Sequence, residues 1–462
     1  MSNPLVAVVL AAGAGTRMKS SLPKVLHSVC GRPLLDWVLH AAAGAGPDEI
    51  CVVVGHGAEA VRAHIDATDV GVPVRAVLQA DQLGTGDAAA CALAALEPGE
   101  RAILLLPGDM PLVTSETLAA MVSLHGDDAT AVTLLTAVFD DPTGYGRVVR
   151  EIGGGVSRIV EEADCTREQR QIREVAVSTY VFDEQRLRAE IARLGTDNAQ
   201  GEVYLTDAIA ALFPDVDTVT ADADEVRGIN DRAQLATTES LARRRINEGW
   251  MREGVTMRDP ATAYIDATVV LEADVTLLAD VVLEGRTRVG SGSVVGPSAR
   301  LVDADIGRDV TMSYCVVRDS SMADGSDCGP YASLRGGCSV EEGAHVGTFV
   351  EAKNSVIGPG SKVPHLSYVG DATLAADVNL GANTITCNWD GVAKHSTVVG
   401  EGVRTGSGTL LVAPVDVGAD AYTAAGAVVT RDVPPGALAK GMPARNEEGW
   451  TAAHRPPRKE RS

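Results

Sequence analysis

The chain has 462 residues, with 62 acidic against 40 basic and a formal net charge of −22, an excess that excludes nucleic acid or an anionic membrane as a general partner and confines any anion site to a local basic pocket. The length allows two or three domains with real cores, no apolar run approaches a membrane span, and no signal-peptide pattern opens the sequence. Eight cysteines with no Cys-x-x-Cys pair read as reduced, buried thiols of a cytoplasmic protein, and no His/Cys cluster has zinc-ligand spacing.

The apolar residues 5–10 predict a buried strand. It runs into Leu10-Ala11-Ala12-Gly13-Ala14-Gly15-Thr16-Arg17-Met18, and Leu22-Pro23-Lys24 follows. Small residues let loop N–H groups approach a phosphate, and Arg17 and Lys24 add fixed positive charge where a triphosphate would lie. The loop is not a P-loop, because no Gly-Lys-Ser/Thr closes it, and it is a poor dinucleotide fingerprint, because Met18 stands where the third glycine would be. Further strands are expected at 50–54, 74–78, 102–106 and 130–138, with helical patterns between them, as at 33–43 and 86–96. The alternation predicts a mostly parallel sheet covered by helices on both faces, with ligands beyond the carboxyl ends of the strands. The opening loop and Gly108-Asp109 both sit at such ends.

Residues 231–250 predict a connecting helix, from Leu235, Leu241, Ala242 and Ile246 at helical spacing. Its Arg243-Arg244-Arg245 triplet reads as a solvated face. After Pro260 an aliphatic residue followed by glycine recurs at about six residues: Val289, Val295, Ile306, Val346, Ile357, Val369, Leu380, Val399 and Val417. This is the pattern of a hexapeptide β-helix, three units to a coil, with the aliphatics stacked inside. Residues 387–397 break the period as a polar insertion of the kind that reaches a neighbour or a ligand; His395 within it is expected to be exposed.

The opening loop is similar to the Gly-x-Gly-Thr-Arg…Pro-Lys signature of sugar-nucleotide pyrophosphorylases. Several stretches extend the resemblance over the whole chain: residues 77–86 (Val-Leu-Gln-Ala-Asp-Gln-Leu-Gly-Thr-Gly), 142–147 (Pro-Thr-Gly-Tyr-Gly-Arg), 198–202 with 204–207, and 364–372 (Pro-His-Leu-Ser-Tyr-Val-Gly-Asp-Ala). The chain resembles the bifunctional N-acetylglucosamine-1-phosphate uridyltransferases/glucosamine-1-phosphate acetyltransferases. That resemblance implies an α/β Rossmann-like nucleotidyltransferase domain over 1–230, a linker and helical arm over 231–260, a left-handed parallel β-helix over 261–445 and a C-terminal tail over 446–462. It implies UDP-N-acetylglucosamine biosynthesis: acetyl transfer from acetyl-CoA to glucosamine 1-phosphate, then uridylyl transfer from UTP to N-acetylglucosamine 1-phosphate. It also implies a homotrimer assembled through the β-helix.

Site residues follow from the same resemblance. Leu10, Ala11, Ala12, Gly13, Lys24, Gln79, Gly84 and Thr85 match nucleotide-binding positions, with Arg17 and Lys24 catalytic by charge neutralisation. Asp109 and Asn230 match the ligands of a magnesium ion. Gly146 and Glu161 match the first site's sugar-binding positions. His365 matches the acetyltransferase base. Arg335, Lys353, Tyr368 and Asn379 match the residues holding the sugar phosphate, and Ala382, Asn388, Trp389, Ser407 and Ala425 match the acetyl-CoA site. The chain departs from the pattern at Ala176 and Ser178, where a sugar-binding asparagine and a glycine are usual, at Asn383 for glycine, at Trp389 for tyrosine, and at Met442 for an arginine that meets the CoA phosphates, for which Arg445 or Lys440 could substitute. Ala176 and Ser178 motivate two alternatives: a paralogue for a different amino sugar 1-phosphate, or an acetyltransferase or trimer scaffold with a weakened first site.

Overall fold

The structure, a computed structural model, describes residues 4–126, 130–196, 201–442 and 444–454. Two compact units divide the chain between Ile246 and Asn247.

The first unit is built on a nine-stranded sheet. Its strands are β1 (Leu5–Ala11), β4 (Glu49–Val54), β5 (Val74–Leu78), β6 (Ala102–Pro107), β7 (Val132–Val138), β8 (Gly146–Arg150), β9 (Val156–Val160), β10 (Glu174–Asp183) and β11 (Val216–Ala221); β2 (Ser28–Val29) and β3 (Arg32–Pro33) form a separate small hairpin. The main order is β11-β7-β10-β6-β1-β4-β5, with β8 paired to β10 and β9. β1 runs parallel to β4 and β6, whereas β10 is antiparallel to β6, β7 and β8. Successive residues of a strand point to opposite faces. Leu5, Ala7, Val9 and Ala11 accordingly pack in one buried cluster with α1 (Leu34–Gly44), α2 (Ala58–Asp66) and α4 (Ser115–His125). Val6 and Val8 pack in another with α3 (Thr85–Ala94), α5 (Glu184–Ile191) and α6 (Leu205–Leu212). Helices therefore cover both faces, which is why β1, β4 and β6 read as unbroken apolar runs.

α7 (Arg232–Arg252) is the helix expected at 231–250. Asp231 caps it through a hydrogen bond from the Gln234 N–H, 2.9 Å. Ala242, with half-buried Leu235, Leu241 and Ile246, packs against Met18, Leu34 and Ile229. In the arginine triplet, Arg245 donates to the Leu112 carbonyl at 2.8 Å and Arg244 lies 3.5 Å from Asp224, so this face is partly tied down rather than simply solvated.

The second unit is a parallel β-helix of the hexapeptide class, the left-handed type implied by its repeat. Strands of two to four residues stack into three parallel sheets of seven, ten and nine strands. Partners in adjacent coils lie eighteen residues apart where the period holds (Thr276 beside Val294) and sixteen or seventeen where it slips (Thr311 beside Asp327, Val294 beside Thr311). The aliphatic member of each repeat named above is buried. The polar insertion lengthens one step to twenty-five residues, Thr373 beside Val398. The first coil strand, Thr256–Met257, precedes Pro260, so the repeat begins slightly earlier than its sequence pattern. Trp450–His454 forms a short helix within the expected tail; Arg455, Arg458, Lys459 and Arg461 lie outside the described residues.

None of the eight cysteines is in a disulfide; Cys91 and Cys387 are half-buried rather than fully buried. No helix among the described residues is long and apolar enough to cross a membrane.

Candidate active sites

The opening loop leaves β1 at Ala11 and turns through Gly15 into a short 3-10 turn, Thr16–Met18. Gly15 adopts φ +58°, and a Cβ there would lie 2.8 Å from the Cβ of Lys24, so the fold requires glycine to let Lys24 pass beneath the loop. Met18 is buried and anchors the loop from below. Nothing lies within 4 Å of where a Gly13 side chain would start, which leaves open space at the loop's crest.

At the end of β6, Asp109 meets the loop. Lys24 Nζ forms an ion pair with Asp109 Oδ2, with the two side chains 15% and 18% exposed. The Ile229 N–H donates to the Asp109 carbonyl at 3.0 Å, which brings the loop bearing Asn230, just before α7, alongside, and Arg17 Nη2 donates to Asn230 Oδ1 at 3.0 Å. Each predicted cation thus rests on one predicted metal ligand. Tyr145 Oη accepts from the Gly228 N–H at 3.3 Å and braces this corner; burial pushes its phenol up.

Gln79 is buried beside Gly84, and its Nε2 donates to Asp87 at 2.6 Å and to the Gly84 carbonyl at 3.2 Å, so the amide is held with its carbonyl oxygen as the remaining group. Gly84 has φ +118°, and a Cβ there would meet the Val203 carbonyl at 2.6 Å, so the segment beginning at Gly201 closes on this loop. Thr85 Oγ1 accepts from the Leu205 N–H at 3.2 Å. Residues Asn198, Ala199 and Gln200 of the matched motif lie outside the described residues.

Gly146, Ala176 and Glu161 come together: Gly146 pairs with Ala176 across β8 and β10, and a Cβ on Gly146 would stand 3.4 Å from Glu161 Oε2. Thr206 Oγ1 donates to Glu161 Oε1 at 3.0 Å. Burial pushes the Glu161 carboxyl up by more than this bond brings it down. Thr206 is a site neighbour that sequence reasoning did not single out, although it lies in a matched motif.

In the second unit His365 ends the strand Lys362–His365, opposite Thr348. Its carbonyl accepts from Ser367 Oγ at 2.8 Å and the Asn383 N–H at 3.1 Å, so the backbone is fixed while the residue is exposed. On the ten-stranded sheet Arg335 pairs with Lys353 in register, and Arg335 forms an ion pair with Glu351. Lys394, from the inserted loop, stands beside Lys353 and lowers its pKa by hydrogen bonding and like charge. Sequence reasoning missed Lys394; its only signal was its place in the insertion. Asn388 Nδ2 donates to Asp371 and, at 3.4 Å, to Tyr368 Oη, while Asn354 donates to the other Asp371 oxygen at 2.7 Å. Burial opposes the Asp371 charge, but these amide donors prevail and hold its carboxyl below the usual range. Trp389 is exposed. His395 is half-buried, not exposed as expected, because its Nε2 pairs with Asp390 Oδ2 at 2.7 Å; the Val392 and Ala393 N–H groups also donate to Asp390, and the three bonds close the loop.

Ala382, Ser407 and Ala425 recur on successive coils: the Gly408 N–H donates to the Ala382 carbonyl and the Gly426 N–H to the Ser407 carbonyl, both at 2.8 Å. A Cβ on Gly381 or Gly406 would collide with the next coil at 2.5 and 2.4 Å. Asn379 lies three residues before Ala382 and bridges to Lys362 and Arg404.

Residues 7–204 match the MobA-like NTP transferase domain family. Over nearly its whole length the chain is similar to proteins named bifunctional protein GlmU. It is 45% identical over 450 residues to that of Caldanaerobacter subterraneus subsp. tengcongensis (96% of this chain, 97% of the relative), and 48% identical over 460 residues to that of Kineococcus radiotolerans (98% and 93%). It is 47% identical over 464 residues to that of Thermobifida fusca (98% and 96%). The chain belongs to the GlmU family of bifunctional proteins.

Proposed function

We propose that this chain carries out two steps of UDP-N-acetylglucosamine synthesis: acetyl transfer from acetyl-CoA to glucosamine 1-phosphate, then uridylyl transfer from UTP to N-acetylglucosamine 1-phosphate. Residues 1–230 supply the uridylyltransferase, 231–260 the linker and arm, and 261–445 the acetyltransferase. The observation that carries the reading is the pairing of Lys24 with Asp109, at the carboxyl end of β6, and of Arg17 with Asn230, in the loop just before α7, in a chain whose relatives are named bifunctional.

In uridylyl transfer a phosphate oxygen of the sugar 1-phosphate attacks the α-phosphorus of UTP, and the bond to the bridging oxygen breaks to release pyrophosphate. Positioning and charge neutralisation do most of this work. Lys24 and Arg17 neutralise the phosphates, and the loop from Leu10 through Ala11, Ala12 and Gly13 lets its N–H groups face them. Gln79, Gly84 and Thr85 read the base, with the Gln79 carbonyl oxygen accepting from the uracil N–H. Gly146 and Glu161 hold the sugar. Among the described residues no group of three or more His, Cys, Asp or Glu could form a closed metal cage. An Asp carboxylate and an Asn carbonyl are instead the hard oxygen donors that suit magnesium when phosphates and water complete its shell. Bound there, the ion would offset triphosphate charge.

In acetyl transfer the neutral amine attacks the thioester carbonyl, the C–S bond breaks, and CoA leaves as the thiol. His365 takes the amine's proton. Arg335, Lys353, Tyr368 and Asn379, joined by Lys394, hold the sugar phosphate; the crowding of the Lys353 and Lys394 amines is relieved by an anion between them. Ala382, Asn388, Trp389, Ser407 and Ala425 line the acetyl-CoA site.

A homotrimer in the cytoplasm completes the proposal. It is supported by a column of exposed side chains along one corner of the β-helix: Tyr314, Tyr331, Phe349 and Leu366 are 42–58% exposed, and the rings of Tyr331 and Phe349 stack at 5.3 Å. Such an apolar strip needs a cover.

The test is direct. The purified protein is given UTP, magnesium and N-acetylglucosamine 1-phosphate, and separately acetyl-CoA and glucosamine 1-phosphate. Pyrophosphate and free thiol are both expected. Thiol without pyrophosphate would overturn the sugar assignment at the first site.

A further inference from the structure

Besides the cations assigned to the sugar phosphate, the β-helix carries a second cationic pair. Lys362, Asn379, Arg404 and Tyr422 are joined in that order by parallel bridges, one per coil, and so stand in a single column. Parallel neighbours lie about 4.8 Å apart, which puts the backbones of Lys362 and Arg404 about 10 Å apart with Asn379 between them. The Lys362 side chain is long enough to reach across that gap.

Neither cation has a carboxylate partner among the described residues. Elsewhere on the β-helix Arg300, Arg335 and Arg308 each lie against a glutamate. Arg404 Nη1 donates instead to the carbonyls of Asp377, Gly402 and Val403. These bonds fix the guanidinium in place without neutralising it and leave its other nitrogens as donors. A fixed guanidinium and a mobile ammonium two coils apart are suited to phosphoryl oxygens.

The column's position identifies the ligand. Asn379, Arg404 and Tyr422 each lie three residues before Ala382, Ser407 and Ala425, so the cations run beside the acetyl-CoA lining coil for coil. The sugar-phosphate cations Arg335 and Lys353 belong to the ten-stranded sheet, whereas Lys362 opens the strand of the seven-stranded sheet that ends at His365. The two cationic sets therefore lie on different sheets, with His365 at the corner. Resting on the acetyltransferase reading above, we propose that Lys362 and Arg404 bind the phosphoryl groups of acetyl-CoA.

The experiment measures thiol release by the full-length protein with acetyl-CoA and with acetylpantetheine, which has the same thioester and no phosphate. Arg404→Ala and Lys362→Ala should each raise the KM for acetyl-CoA about tenfold, the effect of losing one charge-assisted hydrogen bond. They should leave the KM values for acetylpantetheine and glucosamine 1-phosphate unchanged, and Arg404→Lys should recover part of the loss. Unchanged kcat with acetylpantetheine checks that the β-helix of the variants is folded. An unchanged KM for acetyl-CoA, an equal rise with acetylpantetheine, or a rise confined to glucosamine 1-phosphate would overturn the proposal. Absence of thiol release by the unmodified protein would overturn the underlying acetyltransferase reading instead.

Discussion

Because Lys24 occupies Asp109, the first site should gain metal affinity when the lysine is removed, even as it loses activity. Lys24→Gln removes the ammonium while keeping a side chain that can still lie beneath Gly15. The ion pair is mostly buried, at 15% and 18% exposure, so solvent screens it only partly. A charge-assisted contact of this kind contributes about 1–2 kcal/mol to holding Asp109 away from a cation. Freed from it, Asp109 should bind magnesium roughly fivefold to thirtyfold more tightly in the absence of nucleotide. Calorimetric titration of magnesium into the two proteins measures this without reference to turnover. Pyrophosphate release should fall at the same time, because the triphosphate loses a cation. Arg17→Gln is the control: Arg17 rests on the neutral Asn230 amide, so its removal should change magnesium affinity less. Equal or weaker magnesium binding by Lys24→Gln would refute the argument that the lysine gates the metal ligand.

Three further outcomes are expected. His365→Ala should lower thiol release by orders of magnitude and leave pyrophosphate release unchanged; a parallel fall in both would refute two independent sites. Glu184→Gln should lower the melting temperature of the first unit by roughly 4–12 °C, from about 2–3 kcal/mol for uncovering Arg101 and Arg188, since the Glu184 side chain is 0% exposed and bonded to them at 2.6 and 2.7 Å. Burial opposes the Glu184 charge, but hydrogen bonds from Arg188 and Arg101 and their charge prevail and hold the carboxyl below its ordinary 4.5. The stability is therefore fully present above about 4.5 and lost as the pH falls through the depressed folded value, so the gap between wild type and variant in melting experiments should shrink on acidification. Tyr331→Glu should shift the mass seen by light scattering toward the monomer, by placing charge in the exposed aromatic column.

The parts of the fold legible in the sequence are those where burial imposes a period. Residues 5–10 and 50–54 face helices on both sides, so every position is apolar and each strand stands out. In the β-helix each coil must place one aliphatic residue inside per side, so Val289, Val295 and their successors recur at six. β8, β9 and β10 gave no such signal. β8 and β9 carry Arg147, Arg150 and Arg158 among their valines, and β10 breaks its register with β7 between Ala176 and Tyr180. The site residues were legible as motifs but their partners were not. Lys24 and Asp109 are 85 residues apart, and only the closing of β1 against β6 brings them together. Lys394 meets Lys353 only because the insertion folds back along the coils.

The departures at 383, 176 and 178 differ in physical weight. Asn383 sits at φ +59°, a conformation asparagine tolerates better than most residues with a Cβ, and its N–H supports the His365 carbonyl as a glycine's would. That substitution keeps the corner behind His365. Ser178 holds φ +57° at the register shift of β10, where an L-residue costs about 1–2 kcal/mol more than glycine and the hydroxyl recovers part of the cost by bonding to Tyr180. The backbone bend is therefore kept, at the expense of strain. Ala176 has no such compensation: it faces Gly146 with no amide to offer, beside a Glu161 carboxyl already raised by burial. On the proposed reading, the sugar side of the first site thus lacks a hydrogen-bonding group while the phosphate side keeps Arg17, Lys24, Asp109 and Asn230. Any weakening should appear in the KM for the sugar phosphate and spare that for UTP.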